Sequence, residues 1–383
     1  MSKTNIKIGL KEILLSEGDL PLKLMKLLDY FLGGLIARML PAKNTLEAPP
    51  FPIKSILVLR PGGIGDAAFL TVVLKNFKQS SPGINIDVLC EKRNYEVFSL
   101  EGRIVRHVFC YEDVRSFFKI FKNKYDVVID TEQWHYLSSI AAYFIKAYAI
   151  GFATRPLKIK LFNKAVEYEL NEYELTNFQR LFEGLFDNIK NLKSINNTLT
   201  LDFEECAHLK ESLPEKPVVL FLGGSIKPRR FTNTQADEIV GILLEGGNQV
   251  VLIGGKSEIV KGSFLELKHK NSALYNFTGK TTLKESAVII KLAKKFITHD
   301  SGLMHIAIML GTPVIALCGP GNQEKWIGKE GCAQIISLNM PCSPCTKFGY
   351  TIPSACLRKY SCVSDIRELV KAVALEKGSE PRH

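Results

Sequence analysis

From residue 53 onward the chain alternates short apolar runs with longer stretches of helical periodicity, the signature of strands and helices around a mostly parallel sheet. The pattern occurs twice. The first set predicts strands at 53–59, 84–90, 105–110 and 127–130, with helices over 67–78 and 114–122. The second opens after Pro214-Glu215-Lys216-Pro217 and predicts strands at 218–222, 249–253, 296–298 and 313–317, with helices over 235–244, 283–293 and 302–310. Thr234 with Asp237 reads as a capping box, and Gly246-Gly247 as the stop of that helix. An amphipathic stretch, 364–376, comes last. Two α/β domains joined near 205–217 predict a ligand cleft at the carboxyl edges of their sheets, with the last helix able to pack back across it.

Ahead of the Pro-rich break at 41–52, the segment 20–40 brings Leu24, Leu27, Leu28, Phe31, Leu35 and Met39 to helical spacing. Lys23, Lys26, Asp29 and Arg38 interrupt it, so it falls short of the ~18 uncharged residues a membrane-spanning helix needs. Two readings stand: a helix lying in the plane of a membrane interface, or one docked on the protein's own core. Met1 to Leu10 lacks the apolar core and small-residue cleavage site of a secretory signal, and nine cysteines is an odd number. Both predict a reducing, cytoplasmic setting.

Composition sharpens this only in part. The 383 residues predict two to three domains at roughly 150 residues each, and 46% hydrophobic with 23% charged residues excludes a disordered chain. Fifty Lys+Arg against 39 Asp+Glu leave a net charge of +11, which favours an anionic partner. The cations are dispersed and not interleaved with aromatics, which argues against nucleic acid.

Candidate chemistry sits where strands run into helices. Arg60-Pro61-Gly62-Gly63-Ile64-Gly65-Asp66 ends the first strand; its glycines permit close backbone approach and the helix start favours an anion. Gly63-x-Gly65-x-x-Ala68, with Glu91 after the next strand, also fits a relaxed dinucleotide fingerprint, so a nicotinamide-dependent oxidoreductase is the alternative. Asp66 is either a helix-start carboxylate or a general base for a substrate hydroxyl. In the second set, Gly223-Gly224-Ser225-Ile226-Lys227-Pro228-Arg229-Arg230-Phe231 brings three cations to a loop suited to a diphosphate leaving group, or to a solvated basic loop. Glu258, after Gly254-Gly255, either reaches ribose hydroxyls or caps the next helix. Asp300-Ser301-Gly302-Leu303-Met304-His305 begins a helix whose free N–H groups suit phosphate oxygens or sugar hydroxyls, while His305 alone reads as a packed residue. Cys342-x2-Cys345-x10-Cys356-x5-Cys362 leaves zinc and unligated thiols both open.

The ordered set Arg60-x-x-x-x-Gly65-Asp66, Arg229-Arg230-Phe231, Gly254-Gly255 with Glu258, and Asp300-Ser301-Gly302-Leu303-x-His305 resembles glycosyltransferase family 9, the lipopolysaccharide heptosyltransferases. The resemblance implies an α/β fold of GT-B type, two Rossmann-like domains with parallel sheets facing a central cleft. It divides the chain into a lead at 1–50, an acceptor-side domain at 51–212, a nucleotide-sugar domain at 213–362 and a C-terminal helix at 363–383 returning to the first domain. It further implies inverting, metal-independent heptose transfer from ADP-heptose to the lipopolysaccharide inner core, with no cofactor, at the cytoplasmic face of the inner membrane. Asp66 matches the family's base. Lys227, Arg229 and Arg230 would meet the diphosphate; Glu258, Asp300, Ser301, Gly302, Leu303 and His305 would line the donor site; Gly62, Gly63, Gly65 and Gln133 would form the acceptor-side loop. Two departures stand out: Arg229-Arg230-Phe231 replaces the family's Lys-Arg or Lys-His followed by Trp, and Asp130-Thr131-Glu132-Gln133 carries an extra residue over the family's Asp-x-Gln.

Overall fold

A computed structural model describes residues 9–15, 20–43, 48–102, 104–183, 185, 194–201, 206–328, 331–347, 350–351, 356 and 360–374. The chain divides into two compact units. The first comprises 1–194 with 324–326 and 347–352; the second comprises 195–323, 327–346 and 353–383. The expected boundary near 212 therefore lies earlier, after Ser194.

The first unit holds β1 (Ser55–Arg60), β2 (Asn85–Cys90), β3 (His107–Cys110), β4 (Val127–Asp130), β5 (Tyr148–Phe152) and β6 (Lys164–Val166). They form one parallel sheet in the order β3-β2-β1-β4-β5-β6. Burial of alternate-face apolar residues on both sides, Leu57 and Leu59 among them, is what a sheet covered by helices demands. Sequence periodicity predicts the first four strands and misses β5 and β6. β5 is a fully buried apolar run interrupted by Gly151, where a Cβ would stand 2.2 Å from the Phe162 ring, and β6 is a half-buried edge strand with a single Val.

The second unit repeats the topology with β7 (Val218–Phe221), β8 (Val250–Ile253), β9 (Leu274–Asn276), β10 (Lys295–His299), β11 (Val314–Leu317) and β12 (Ala333–Ile336), in the order β12-β11-β10-β7-β8-β9. Both sheets thus follow the doubly wound 3-2-1-4-5-6 order. The strand order reverses between β1 and β4 in one and between β7 and β10 in the other, and such reversal points open a crevice at the carboxyl ends. β9 and β12 escape prediction because they are short and only partly buried.

Two local expectations are corrected. The capping box is Thr232 with Gln235, two residues earlier than Thr234 with Asp237. Asp237 instead pairs with Lys268 at 2.5 Å and His269 at 3.0 Å. The last helix, Arg367–Ala374, packs Leu369 and Val373, with Ile366 just before it, into the second unit's core, so its described part belongs to that unit; residues 375–383 of the predicted segment lie outside the described residues. Among the described residues no helix is long and apolar enough to cross a membrane.

Gln235 closes the box at Thr232 N (2.9 Å) and also donates through Nε2 to the carbonyls of Val363 (2.9 Å) and Ser364 (3.2 Å). Thr232→Ala should lower the protection of the 233–245 helix by about 1 kcal/mol in hydrogen exchange. Gln235→Ala should cost measurably more, because two further carbonyls lose a donor. Equal losses would mean that the Val363 and Ser364 bonds contribute nothing.

Candidate functional site

Each reversal point is bridged by a polar clasp. In the first unit β1 ends in Arg60, whose guanidinium is almost wholly buried. Its Nη1 donates to Thr131 O at 2.8 Å, and its Nη2 stands 3.6 Å from Glu132 and 3.9 Å from Asp66. Burial works against its charge, but Asp66, Glu132, Glu174 and Glu91 more than offset this and hold its pKa above the ordinary arginine value. Gly62 must be glycine: its φ is +129° and a Cβ there would stand 2.5 Å from Arg60 Nη2. Gly63 then caps the helix Ile64–Ser80 in extended conformation, which puts Gly65 and Asp66 in the first turn.

Asp66 is partly exposed, at 19%, as is Glu91 at 18%, whereas Glu132 is at 8% and Glu174 at 0%. Gln133, from the loop after β4, donates Nε2 to Asp66 (3.3 Å) and to Glu174 (2.8 Å). Sequence reasoning missed Glu174, which also accepts from Tyr168 (2.9 Å) and pairs with Lys325 (2.5 Å). It also missed Lys158, buried under the same loop, which donates to Glu132 O at 2.6 Å and faces Asp130 at 3.9 Å. Burial lowers the Lys158 pKa and raises that of Asp130; each is the other's main counterweight. No local motif marks these residues, because each is remote in sequence from the group it serves.

The loop is tied from a third side. Asp29, in the π-helical turn Asp29–Gly33, accepts from Tyr136 N (2.7 Å) and Leu137 N (2.8 Å) and stands 3.2 Å from His135 Nδ1. It thereby caps the helix Leu137–Phe144 from more than a hundred residues away.

In the second unit the loop after β7 meets the turn after β10. Arg229 Nη2 pairs with Asp300 at 3.0 Å, both largely buried. Arg230 instead braces its own loop, donating Nε to Gly224 O at 2.5 Å, while Lys227 is exposed. Gly224 is enforced by the Arg229 carbonyl, 2.0 Å from where a Cβ would lie, and Gly321 by Asp300, at 2.4 Å. Ser301 caps the helix Gly302–Met309, accepting from Met304 N; Gly302 opens it, and Leu303 and His305 are buried in it. Glu258 takes the capping role, accepting from Gly255 N (2.9 Å) and Ser257 Oγ (2.7 Å), and is buried.

Phe231, the departure from Trp, is buried with its ring centroid 4.1 Å from that of His299 and fastens the basic loop to the end of β10. Glu91 pairs with Arg93 at 2.6 Å, and Asp66 stands in the first helical turn, so the Gly63-x-Gly65-x-x-Ala68 turn lacks a free ribose acid and presents a carboxylate to a pyrophosphate. The dinucleotide alternative is set aside. All nine cysteines are free thiols. Burial, with Cys345, Cys342 and Cys356 nearby, pushes Cys362 up to about 11, yet among the described residues no three ligating side chains converge closely enough to hold a metal.

Two doubly wound parallel sheets, each with a polar clasp at its reversal point, define an α/β protein of two Rossmann-like units, the GT-B architecture. The model of glycosyltransferase family 9 (heptosyltransferase) matches residues 114–354, well over half of the chain, and the chain belongs to that family. It is similar to lipopolysaccharide heptosyltransferase 2 of Escherichia coli (strain K12), 32% identical over 129 residues, which are 32% of this chain and 37% of that protein. The chain thus matches little more than a third of the length of the first such relatives. It is also similar to lipopolysaccharide heptosyltransferase 1 of Pseudomonas aeruginosa, 23% identical over 76% of this chain and 86% of that one. Among solved structures, E. coli ADP-heptose LPS heptosyltransferase II superposes with a TM-score of 0.63 at 20% identity, covering 85% of this chain and 100% of that one. E. coli heptosyltransferase WaaC with ADP gives 0.60 at 17% identity, covering 73% and 92%. These two share the fold.

His299 carries a pH signature. Burial, partly opposed by the Leu317 carbonyl and aided by the Lys261 and Arg229 charges, lowers its pKa from 6.5 to about 3. Unfolded, the ring takes up a proton below about pH 6.5, while the folded ring refuses one until about pH 3. Stability fully present above that window is therefore lost as the pH falls through it, by up to about 1.4 kcal/mol per pH unit. His299→Phe should flatten the acid limb of the stability curve in urea unfolding; an unchanged slope would show that the folded ring takes the proton.

Proposed function

We propose that the protein transfers a heptose from ADP-heptose to a hydroxyl of the lipopolysaccharide inner core, with inversion and without a metal, at the cytoplasmic face of the inner membrane. The carrying observation is Asp66: beside the buried Glu132 and Glu174 it keeps an exposed edge, and Gln133 and Arg60 fix its position. Asp66 takes the acceptor hydroxyl proton as that oxygen attacks the anomeric carbon. The bond from that carbon to the diphosphate oxygen breaks, and ADP departs with the negative charge. Arg229 and Lys227 supply positive charge for the departing diphosphate, and the helix start at Ser301 and Gly302 supplies N–H groups. His305 and Leu303 shape the wall of the donor site from within that helix, and Glu258 holds the turn beside it. Donor identity rests on family membership and on the named relatives, one of which is called an ADP-heptose heptosyltransferase and another of which was solved with ADP.

The reading makes separable expectations. Asp66→Asn should reduce transfer roughly a hundred- to ten-thousandfold while leaving ADP binding by calorimetry unchanged. Arg229→Ala should weaken ADP roughly ten- to a hundredfold. Mass spectrometry of lipopolysaccharide core extracts after incubation with ADP-heptose should show the mass of one heptose added. Full activity of Asp66→Asn would remove the base, and preference for UDP over ADP would remove the donor.

A further inference from the structure

The helical lead reverses the arrangement of an ordinary surface helix. It runs through Leu20–Leu28, the π turn and Gly34–Met39. Spacing of three and four residues puts Leu20, Leu24, Leu28, Phe31, Leu35 and Met39 along one face, and that face points to solvent, from 48% exposed at Leu28 to 79% at Leu20. The polar residues Lys26 and Asp29 point inward, at 6% and 4%. Small residues let the helix seat closely on that inner side: Ala37 packs with Tyr136, Ile140 and Leu161, and Gly33 lies where a Cβ would stand 3.2 Å from Tyr136 and Asp29. Docking on the protein's own core therefore does not account for the apolar stripe. A contiguous exposed patch of this kind marks an interaction surface.

We propose that this stripe is an in-plane anchor for an anionic lipid surface, which deepens and rests on the membrane-face reading above. Length fits: twenty residues at 1.5 Å rise give a strip about 30 Å long. Charge selects the occupant. Between residues 20 and 43 the one acid is Asp29, bonded inward to the backbone N–H groups of Tyr136 and Leu137, whereas Lys23, Arg38 and Lys43 keep solvent access. An apolar face edged by cations alone suits the headgroup boundary of an anionic bilayer. A second copy would bring those same cations against one another. Placement agrees as well. Asp29 joins the anchor to the loop that carries Gln133, and Gln133 holds Asp66, so a helix seated in the headgroups keeps the candidate base close to where a glycolipid acceptor resides.

The test is flotation of the full chain, without donor or acceptor, on vesicles of phosphatidylethanolamine with phosphatidylglycerol and on vesicles of phosphatidylcholine alone. The wild type should float with the anionic vesicles, less with phosphatidylcholine and less in high salt. Leu24→Asp/Phe31→Asp/Leu35→Asp should reduce binding roughly a hundredfold. Leu24→Ser/Phe31→Ser/Leu35→Ser, which adds no charge, should also reduce it strongly. Both should keep the wild-type circular dichroism and ADP affinity, since the replaced side chains are exposed. Val114→Asp/Phe118→Asp, on another exposed apolar face, should bind vesicles as the wild type does. If the wild type binds and the triple variants bind equally well, the stripe is not the anchor and the membrane reading survives without it. If the wild type binds no vesicle, both fall; a dimer that the triple variants dissolve would identify the stripe as a subunit interface and overturn the proposal.

Discussion

The first unit is organised around a buried guanidinium. Taking Arg60 out of water costs several kcal/mol unless its charge and donors are matched. The chain meets that demand from three directions: the Thr131 carbonyl after β4, Glu132 in the same loop, and Asp66 at the helix start after β1. Because β1 and β4 are the strands between which the sheet reverses, satisfying one cation fixes the two loops that border the crevice. The surrounding glycines follow from it, since Gly62 leaves room for the guanidinium that a side chain would displace. Asp66 keeps an exposed edge, while Glu132 and Glu174 are consumed inside.

The second unit solves the same geometric problem with an opposite surplus. At its reversal point Arg229 meets Asp300, and the neighbouring Lys227 remains exposed. The clasp in one unit leaves over part of a carboxylate, the clasp in the other leaves over a cation and a row of helix-start N–H groups. A base and a diphosphate site need those two surpluses respectively. Phe231, where the family pattern has Trp, is buried with its ring tilted against His299 at the end of β10.

What the sequence made legible follows from how local each signal is. Strands with continuous apolar runs and turns rich in glycine announce themselves, so β1, β2, β4, β7 and β8 and the turns at Gly62 and Ser301 were readable. Edge strands such as β6, with half-buried Lys164-Ala165-Val166, carry no such run. Asp66, Arg229 and Asp300 could be singled out because each lies in a turn that follows a strand, and the structure places all three at the reversal points of the sheets. Glu174, Lys158 and Asp29 were not, because their roles exist only once residues tens to a hundred positions apart are brought together. Glu258 and Arg230 were read from the same turns, and each also bonds within its own loop, Glu258 to Gly255 N and Ser257 Oγ and Arg230 to the Gly224 carbonyl. The capping box was misplaced by two residues because Thr232 and Thr234 are both followed three positions later by a polar residue that can close the box.

The lead segment shows why periodicity alone cannot orient a helix. An amphipathic pattern fixes that two faces differ, and the default expectation turns the apolar one inward. Here the inward face is chosen instead by a carboxylate. Asp29 accepts two backbone N–H groups at the start of the helix Leu137–Phe144, bonds those groups would otherwise lack, and this contact together with the close seat at Gly33 and Ala37 outweighs the burial of leucines that the opposite rotation would bring. A rotation of the helix by half a turn would bury the stripe but strand Asp29 and the Tyr136 and Leu137 amides at once. The outward stripe is thus held by the same loop that fixes Gln133, and the surface it presents and the position of Asp66 are set by one connected group of hydrogen bonds.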